Sequence, residues 1–241
     1  MTKRLFFIAA PLFTATAAFA VVALAAQASY SFKIKVEEGY VQKSKVTLKS
    51  DVGGMGVELG YLSDEKILKV EADGTYTEEV KTYEPSVLAG GAPVPQYGNT
   101  DRLETKKLSP IGQLLETSDK ATPFSLLSRA SRMSSFPPPP APVKVGESWT
   151  YEFPAKDKLV AAKVTYKFLA EEKVGKFDAL KLEFEFAEAE GTKPIKAKGF
   201  LWVSKTNFRG VKGEALAENF PAPPGSPVQT MNVKATFERI Q

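Results

Sequence analysis

Carboxylates are the side chains best placed to do chemistry in this chain, because histidine and cysteine are both absent from its 241 residues. Imidazole general bases, thiolate nucleophiles and His- or Cys-ligated zinc are therefore excluded. Catalysis would have to rest on carboxylates, lysines, tyrosines or a Ser/Lys pair. Paired acids occur at Glu171-Glu172, Glu183/Glu185 and Glu188/Glu190. Acid–base work needs a desolvated or coupled carboxylate, whereas the surrounding alternation puts these pairs on the outer faces or at the ends of strands. Ser128, Ser131, Ser134 and Ser135 lie near Arg129 and Arg132 but outside any nucleophile-elbow setting. Gly53-Gly54-Met55-Gly56 lacks the continuation of a phosphate loop and reads as a turn. Asp51, Asp64 and Asp73 are isolated, so no metal-ligand spacing emerges. These residues point away from an enzyme, and neither a cofactor nor a metal is expected.

What remains is a surface for an apolar ligand. Val164, Tyr166, Phe168, Leu182, Phe184, Phe186, Trp202 and Phe237 sit in strand-like segments and would line the concave face of a curved sheet. Phe124, Leu127 and Met133 fall in a helical segment that would cover or gate its mouth. The competing account is that these aromatics form the ordinary core of a closed β-fold with the helix as its lid.

The elements that must position these residues are strands. In Phe177–Glu188, Leu180, Leu182, Phe184 and Phe186 alternate with Lys181, Glu183 and Glu185, the period-two signature of a strand with one buried and one wet face. Val164–Phe168 repeats it, as do Phe32, Ile34 and Val36 against Lys33, Lys35 and Glu37, and Val233, Ala235 and Phe237 against Lys234, Thr236 and Glu238. Sheets with one solvated face are typically antiparallel, so the chain reads as mainly β, an antiparallel meander forming a curved sheet or half-barrel. Asp73-Gly74 marks a tight hairpin. Glu38-Gly39, Gly53-Gly54, Lys173–Lys176 and Lys205-Thr206-Asn207 mark further reversals, with Asn207 suited to positive φ.

Between residues 84 and 148 the pattern breaks. Pro85, Pro93, Pro95 and several glycines predict a long loop, with one irregular strand over Leu103–Leu115. Asp119 or Thr122 could cap a short helix from Pro123 to about Met133, its apolar side carrying Phe124, Leu126, Leu127, Ala130 and Met133 and its polar side Ser128, Arg129 and Arg132. Pro137–Pro140 and Pro142 predict an extended polyproline connection. The expected layout is a leader over 1–28, an N-terminal β half over 29–118, the helix and proline-rich linker over 119–142, and a C-terminal β half over 143–241. Residues 29–241 are read as one domain.

Residues 1–28 have the form of a secretory leader: Lys3-Arg4, an apolar or small run from Leu5 to Ala26, and a small-x-small site at Ala26-Gln27-Ala28. Cleavage near Ala28 would release the chain into a periplasmic or extracellular compartment. The 22-residue apolar run is also long enough to be kept as an anchor. Lys3 and Arg4 are two of the 32 basic residues, so the rest of the chain is close to balance against 28 acidic ones. Basic and acidic side chains alternate along the strands instead of forming a concentrated stripe, which argues against a nucleic-acid partner.

Two segments resemble known families. Val143-Lys144-Val145-Gly146-Glu147-Ser148-Trp149, following the prolines, resembles the proline-rich V-x-V-G-[DE]-[ST]-W junction of a family of secreted bacterial β-proteins. The residues alone assign Gly146 to a turn and Trp149 to a strand start with its ring in the core. Phe200-Leu201-Trp202-Val203 and Lys205–Arg209 resemble the strand–turn–strand of the LolA/LolB-like lipoprotein-carrier half-barrels, with Ser204 in place of Asp and Asn207 in place of Gly. That resemblance implies a sheet wrapped around an apolar cavity, partly plugged by a helix, that carries acyl chains. The expected function is non-enzymatic binding of a hydrophobic or lipid-like ligand. The alternative is a cell-envelope structural or protein-interaction module, docking through a free strand edge or the proline-rich segment.

Overall fold

The computed structural model describes residues 28–94, 101–156, 159–191, 193–222 and 228–241. The leader and its cleavage site lie outside them, apart from Ala28. Hydrophobic alternation builds strands along nearly the whole chain: β1 (Ser29–Tyr30), β2 (Val41–Val52), β3 (Met55–Val70), β4 (Tyr76–Ala89), β5 (Ala92–Pro93), β6 (Arg102–Leu108) and β7 (Leu114–Thr117). Helix α1 (Phe124–Ser134) follows. The chain then forms β8 (Val143–Lys144), β9 (Ser148–Phe153), β10 (Ala162–Val174), β11 (Phe177–Glu188), β12 (Lys196–Ser204), β13 (Gly210–Pro221) and β14 (Thr230–Arg239).

Twelve strands make one antiparallel sheet in the order β7-β6-β4-β3-β2-β14-β13-β12-β11-β10-β9, with β5 paired to β4; β1 and β8 form a separate two-stranded sheet. The large sheet curves but does not close into a barrel. Two meanders thus share it: β2 to β7 runs outward from the middle, and β9 to β14 runs back to it. The join is β14 against β2, in register from Val233↔Ser50 to Arg239↔Ser44. Short connections set the other registers of this large sheet, but this pairing closes a loop of almost two hundred residues.

The inner face holds two buried clusters. The larger gathers Val164, Tyr166, Phe168, Leu180, Leu182, Phe184, Phe186, Trp149 and Phe153 with Phe32 and Phe136; the smaller is Ile67, Tyr76, Leu108 and Leu114. Close backbone approach fixes part of this shape. A Cβ on Gly199 would lie 1.9 Å from the Glu214 carbonyl oxygen, and one on Gly213 would lie 2.3 Å from the Phe237 ring.

Several segments depart from expectation. Phe32–Val36 forms no strand; it is an extended strap whose Phe32 ring packs on Phe136, Trp149, Phe168 and Phe208. β4 runs straight through Pro85, because the β3–β4 register shifts between Gly60 and Leu62 and no ladder bond is asked of the proline nitrogen. The expected irregular strand over Leu103–Leu115 is instead two strands, β6 and β7. The positive φ after β12 falls on Phe208, at 56°, and not on Asn207.

The proline run is no exposed linker. Pro137 and Pro139 are buried, Trp149 Nε1 donates to the Pro137 carbonyl at 3.0 Å, and Tyr166 Oη donates to that of Ser135 at 2.9 Å. A polyproline strand has no internal hydrogen bonds, so its carbonyls are free to accept from the two aromatics stacked beneath it, whose ring centroids lie 5.2 Å apart.

Helix α1 buries a polar stripe between its inward residues Leu127 and Met133. Ser128 and Arg132 are its buried residues, while Phe124 is 46% exposed. The reason lies in what the inner face offers. Arg132 donates to the carbonyls of Val160 and Pro154 at 2.7 and 2.9 Å. Arg129 grips Glu188 through two bonds of 2.8 and 2.5 Å, and Glu188 also accepts from the Ile195 amide at 2.7 Å. Glu188, expected on an outer face or strand end, is therefore buried.

Candidate ligand site

Beyond the packed cluster, the inner face of β14, β2, β3, β4 and β6 is layered. At one end Ile67, Tyr76, Leu108 and Leu114 close it with Leu127 from the helix packed against them. A polar band comes next. Register brings Arg239 opposite Ser44, Ser44 opposite Ser63, Gln42 opposite Glu65, and Glu78 opposite Lys106. Each sits at an inward position of its strand, where alternation would otherwise place an aliphatic side chain.

This band is buried and incompletely satisfied. Gln42, Ser44, Ser63 and Glu78 are each at most 7% exposed. Gln42 Nε2 reaches Ser44 Oγ at 3.4 Å, but its Oε1 has no partner among the described residues. Glu65 pairs with Arg209 at 3.4 Å, and Glu104 with Lys106 at 2.7 Å. The Glu78 carboxylate lies among these groups without a hydrogen bond or ion pair of its own among the described residues. Burial, reinforced by the charge of Glu65, pushes the Glu78 carboxyl up to about 7. Burial likewise raises the phenols of Tyr61 and Tyr76. Arg209 and Arg239 both lie over the Tyr40 ring, at 5.0 and 5.5 Å, and Arg239 Nη1 is a further buried atom without a partner among the described residues.

An apolar rim follows the band. Val46, Leu48, Val57, Leu59 and Val87 share the inner face by register and are only half-buried. None of them packs against either buried cluster. A polar band beside a half-buried apolar wall can hold a molecule with one polar end and one apolar end. Among the described residues no group of acids is arranged to hold a metal.

The residues expected to line a ligand are dispersed by the structure. Val164, Tyr166, Phe168, Leu182, Phe184 and Phe186 lie together in the larger buried cluster, with Met133 packed against it. Leu127 joins the smaller cluster, and Phe124 is exposed. Phe237 is half-buried, its ring over Gly210 and Gly213. Trp202 does not face inward. It pairs with Lys181 on the outer face, where Lys181 and Lys212 sit over its ring and Glu172 accepts its Nε1 proton at 2.7 Å. The alternation of β12 puts Leu201 and Val203 inward and leaves Trp202 the other side, buried under lysine stems.

Gln42, Ser44, Ser63, Glu65, Glu78, Arg209 and Arg239 were not anticipated. The signal available was polar residues in phase with inward aliphatics, such as Glu78 two residues before Val80. Which phase is inward in β2 to β4 depends on the neighbouring strands.

No family model matches the chain, and no curated protein matches it. Solved structures do match. One is a crystal structure from Bacteroides fragilis, described as that of a protein thought to be exported, with a YmcC-like fold. It is 12% identical, the match covers 88% of this chain and 100% of the other, and the TM-score is 0.32. None of these comparisons shows the likeness to lipoprotein carriers expected from Phe200–Arg209. Among the described residues no helix is long and apolar enough to cross a membrane.

Proposed function

We propose that this protein is an exported, non-enzymatic binder of an amphipathic, lipid-like ligand. The ligand's apolar part lies on the rim of Val46, Leu48, Val57, Leu59 and Val87, and its polar end reaches the band at Gln42 and Glu78. The observation that carries this reading is the uneven cover of one inner face. The C-terminal half is filled by Phe32, Phe136 and the prolines, whereas the rim of the N-terminal half has apolar side chains that are only half-buried and join neither buried cluster. The leader supports export, and the absence of histidine and cysteine supports binding over catalysis.

The test is to purify the full chain, extract it with organic solvent, and titrate it with a fluorescent fatty-chain probe. Co-purifying lipid and saturable probe binding are expected. A Leu59→Glu variant that keeps its circular dichroism should bind the probe at least about tenfold more weakly, the loss expected when a charge enters an apolar contact. A lipid-free protein that ignores the probe would overturn the reading. If crosslinking in the native envelope then captured one protein at β7 or β9, the two free edges of the sheet, the interaction-module alternative would replace it.

A further inference from the structure

The outer face of the sheet has its own site, independent of the inner one. An open trough of about 850 Å3 crosses β10, β11, β12, β13, β14 and β2. Register sets Thr165, Glu185, Lys198, Leu216, Lys234 and Lys49 in one line perpendicular to the strands. Lys163 and Lys196 stand in the adjoining row, with Glu218 opposite Lys196. Strands are about 4.8 Å apart, so the line offers a side chain at regular short steps across six strands.

The charges here are left unused. Lys163, Lys196, Lys198 and Lys234 are exposed and form no ion pair among the described residues. Lys234 directly opposes Lys49, an arrangement that destabilises a sheet and is only partly relieved by the Lys49–Glu58 pair at 2.8 Å. Elsewhere on the same face lysines are matched: Lys181 with Glu172 and Lys212 with Glu214. Leu216, 53% exposed, lies between Lys198 and Lys234 on the floor. Phe186, the one aromatic residue along the trough, is buried in the inner cluster.

We propose that this trough binds an extended, carboxylated glycan laid across the strands. The lysine line supplies cations for its carboxylates. Asp51, Glu185 and Glu218, also along the trough, would repel a simple polyanion but accept hydrogen bonds from sugar hydroxyls. Thr165 and Asn232 add neutral partners of the same kind. A single-stranded nucleic acid would want aromatic stacking platforms, and among the described residues no aromatic ring faces the trough.

The experiment is calorimetric titration of the full chain with polygalacturonate oligomers at low and high salt. The variants are the double substitution Lys198→Glu/Lys234→Glu and, as control, Lys45→Glu, an exposed outer-face lysine outside the trough. Binding is expected at low salt, weakened by added salt, about tenfold or more weaker in the double variant, and little changed in the control, since only close charge pairs carry large coupling. The substituted side chains are exposed, and circular dichroism verifies that the variants fold. Four results would overturn the proposal: no binding at low salt, equal loss in the control, equal affinity for neutral dextran, or equal affinity for single-stranded DNA.

Discussion

Glu78 is the residue on which the inner site turns. A carboxylate 7% exposed and without a partner is costly to ionise, and its neighbours divide over it. Glu65 on β3, Glu104 on β6 and Tyr76 on its own strand surround it, while Lys106 and Arg209 are committed to other acids. Because its carboxyl is raised to about 7 from an ordinary 4.5, the folded protein binds the proton more tightly than the unfolded chain. Its ionisation therefore costs nothing below the unfolded value and progressively lowers stability as pH rises from there through about 7. Glu78→Gln should leave the melting temperature unchanged at acidic pH and raise it at pH above 7, by roughly 1–3 kcal/mol of stability on the scale of a pKa shift of this size. Thermal melts across the pH range check this; a variant less stable than the parent on the alkaline side would show that the ionised carboxylate is usefully paired. The local sequence offers only the phase that Glu78 shares with Val80, since Glu78 and Glu79 are adjacent and the inward phase is set by the neighbouring strands.

At the scale of the element, helix α1 shows how a sound local reading can place an element and still miss part of what it buries. Pro123 and the spacing of apolar residues locate it to within a residue or so of Phe124–Ser134. Hydrophobic patterning then predicts that Phe124, Leu127 and Met133 face the sheet; Leu127 and Met133 do pack against the buried clusters, and Phe124 does not. The inner face, however, presents the Val160 and Pro154 carbonyls and the Glu188 carboxylate, and charge-assisted hydrogen bonds to such groups are individually stronger than the contact of one aliphatic side chain. Arg132→Met should therefore cost about 2–3 kcal/mol, the usual loss for hydrogen bonds to a charged group, whereas Phe124→Ser should change stability by less than about 0.5 kcal/mol, as exposed substitutions do. Urea denaturation of the two variants gives the comparison, and the opposite ranking would show that the Phe124 contacts outweigh the Arg132 hydrogen bonds. The proline run illustrates the same limit. Its extended conformation was legible in Pro137–Pro140, but its burial depends on Trp149 and Tyr166 lying beneath it.

The whole molecule depends on one long-range pairing. β14 against β2 merges two hairpin meanders into a single sheet, and the chain end is held there, with the Lys43 amide donating to the Gln241 carbonyl at 3.2 Å. Deleting residues 230–241 would expose the edges of β2 and β13 and remove the inner-face residues Val233, Phe237 and Arg239. The truncated chain is expected to lose the single cooperative unfolding transition of the full one, in calorimetry and near-ultraviolet dichroism alike. A cooperative melt with native near-ultraviolet signal would mean that the two meanders are held together by the helix and strap instead.

What the sequence by itself determined was the class of fold, most of the reversals and the near-position of the one helix. Period-two alternation, Asp73-Gly74 and Pro123 act through the backbone of a few adjacent residues, so they can be read locally. Tertiary structure alone decided which side of each element faces inward at Trp202, Glu78 and Arg132, and it alone assembled both the inner polar band and the outer lysine line. Those features are made by residues far apart in the chain and set in register by neighbouring strands, and a one-residue change of register would send every one of them to the opposite face.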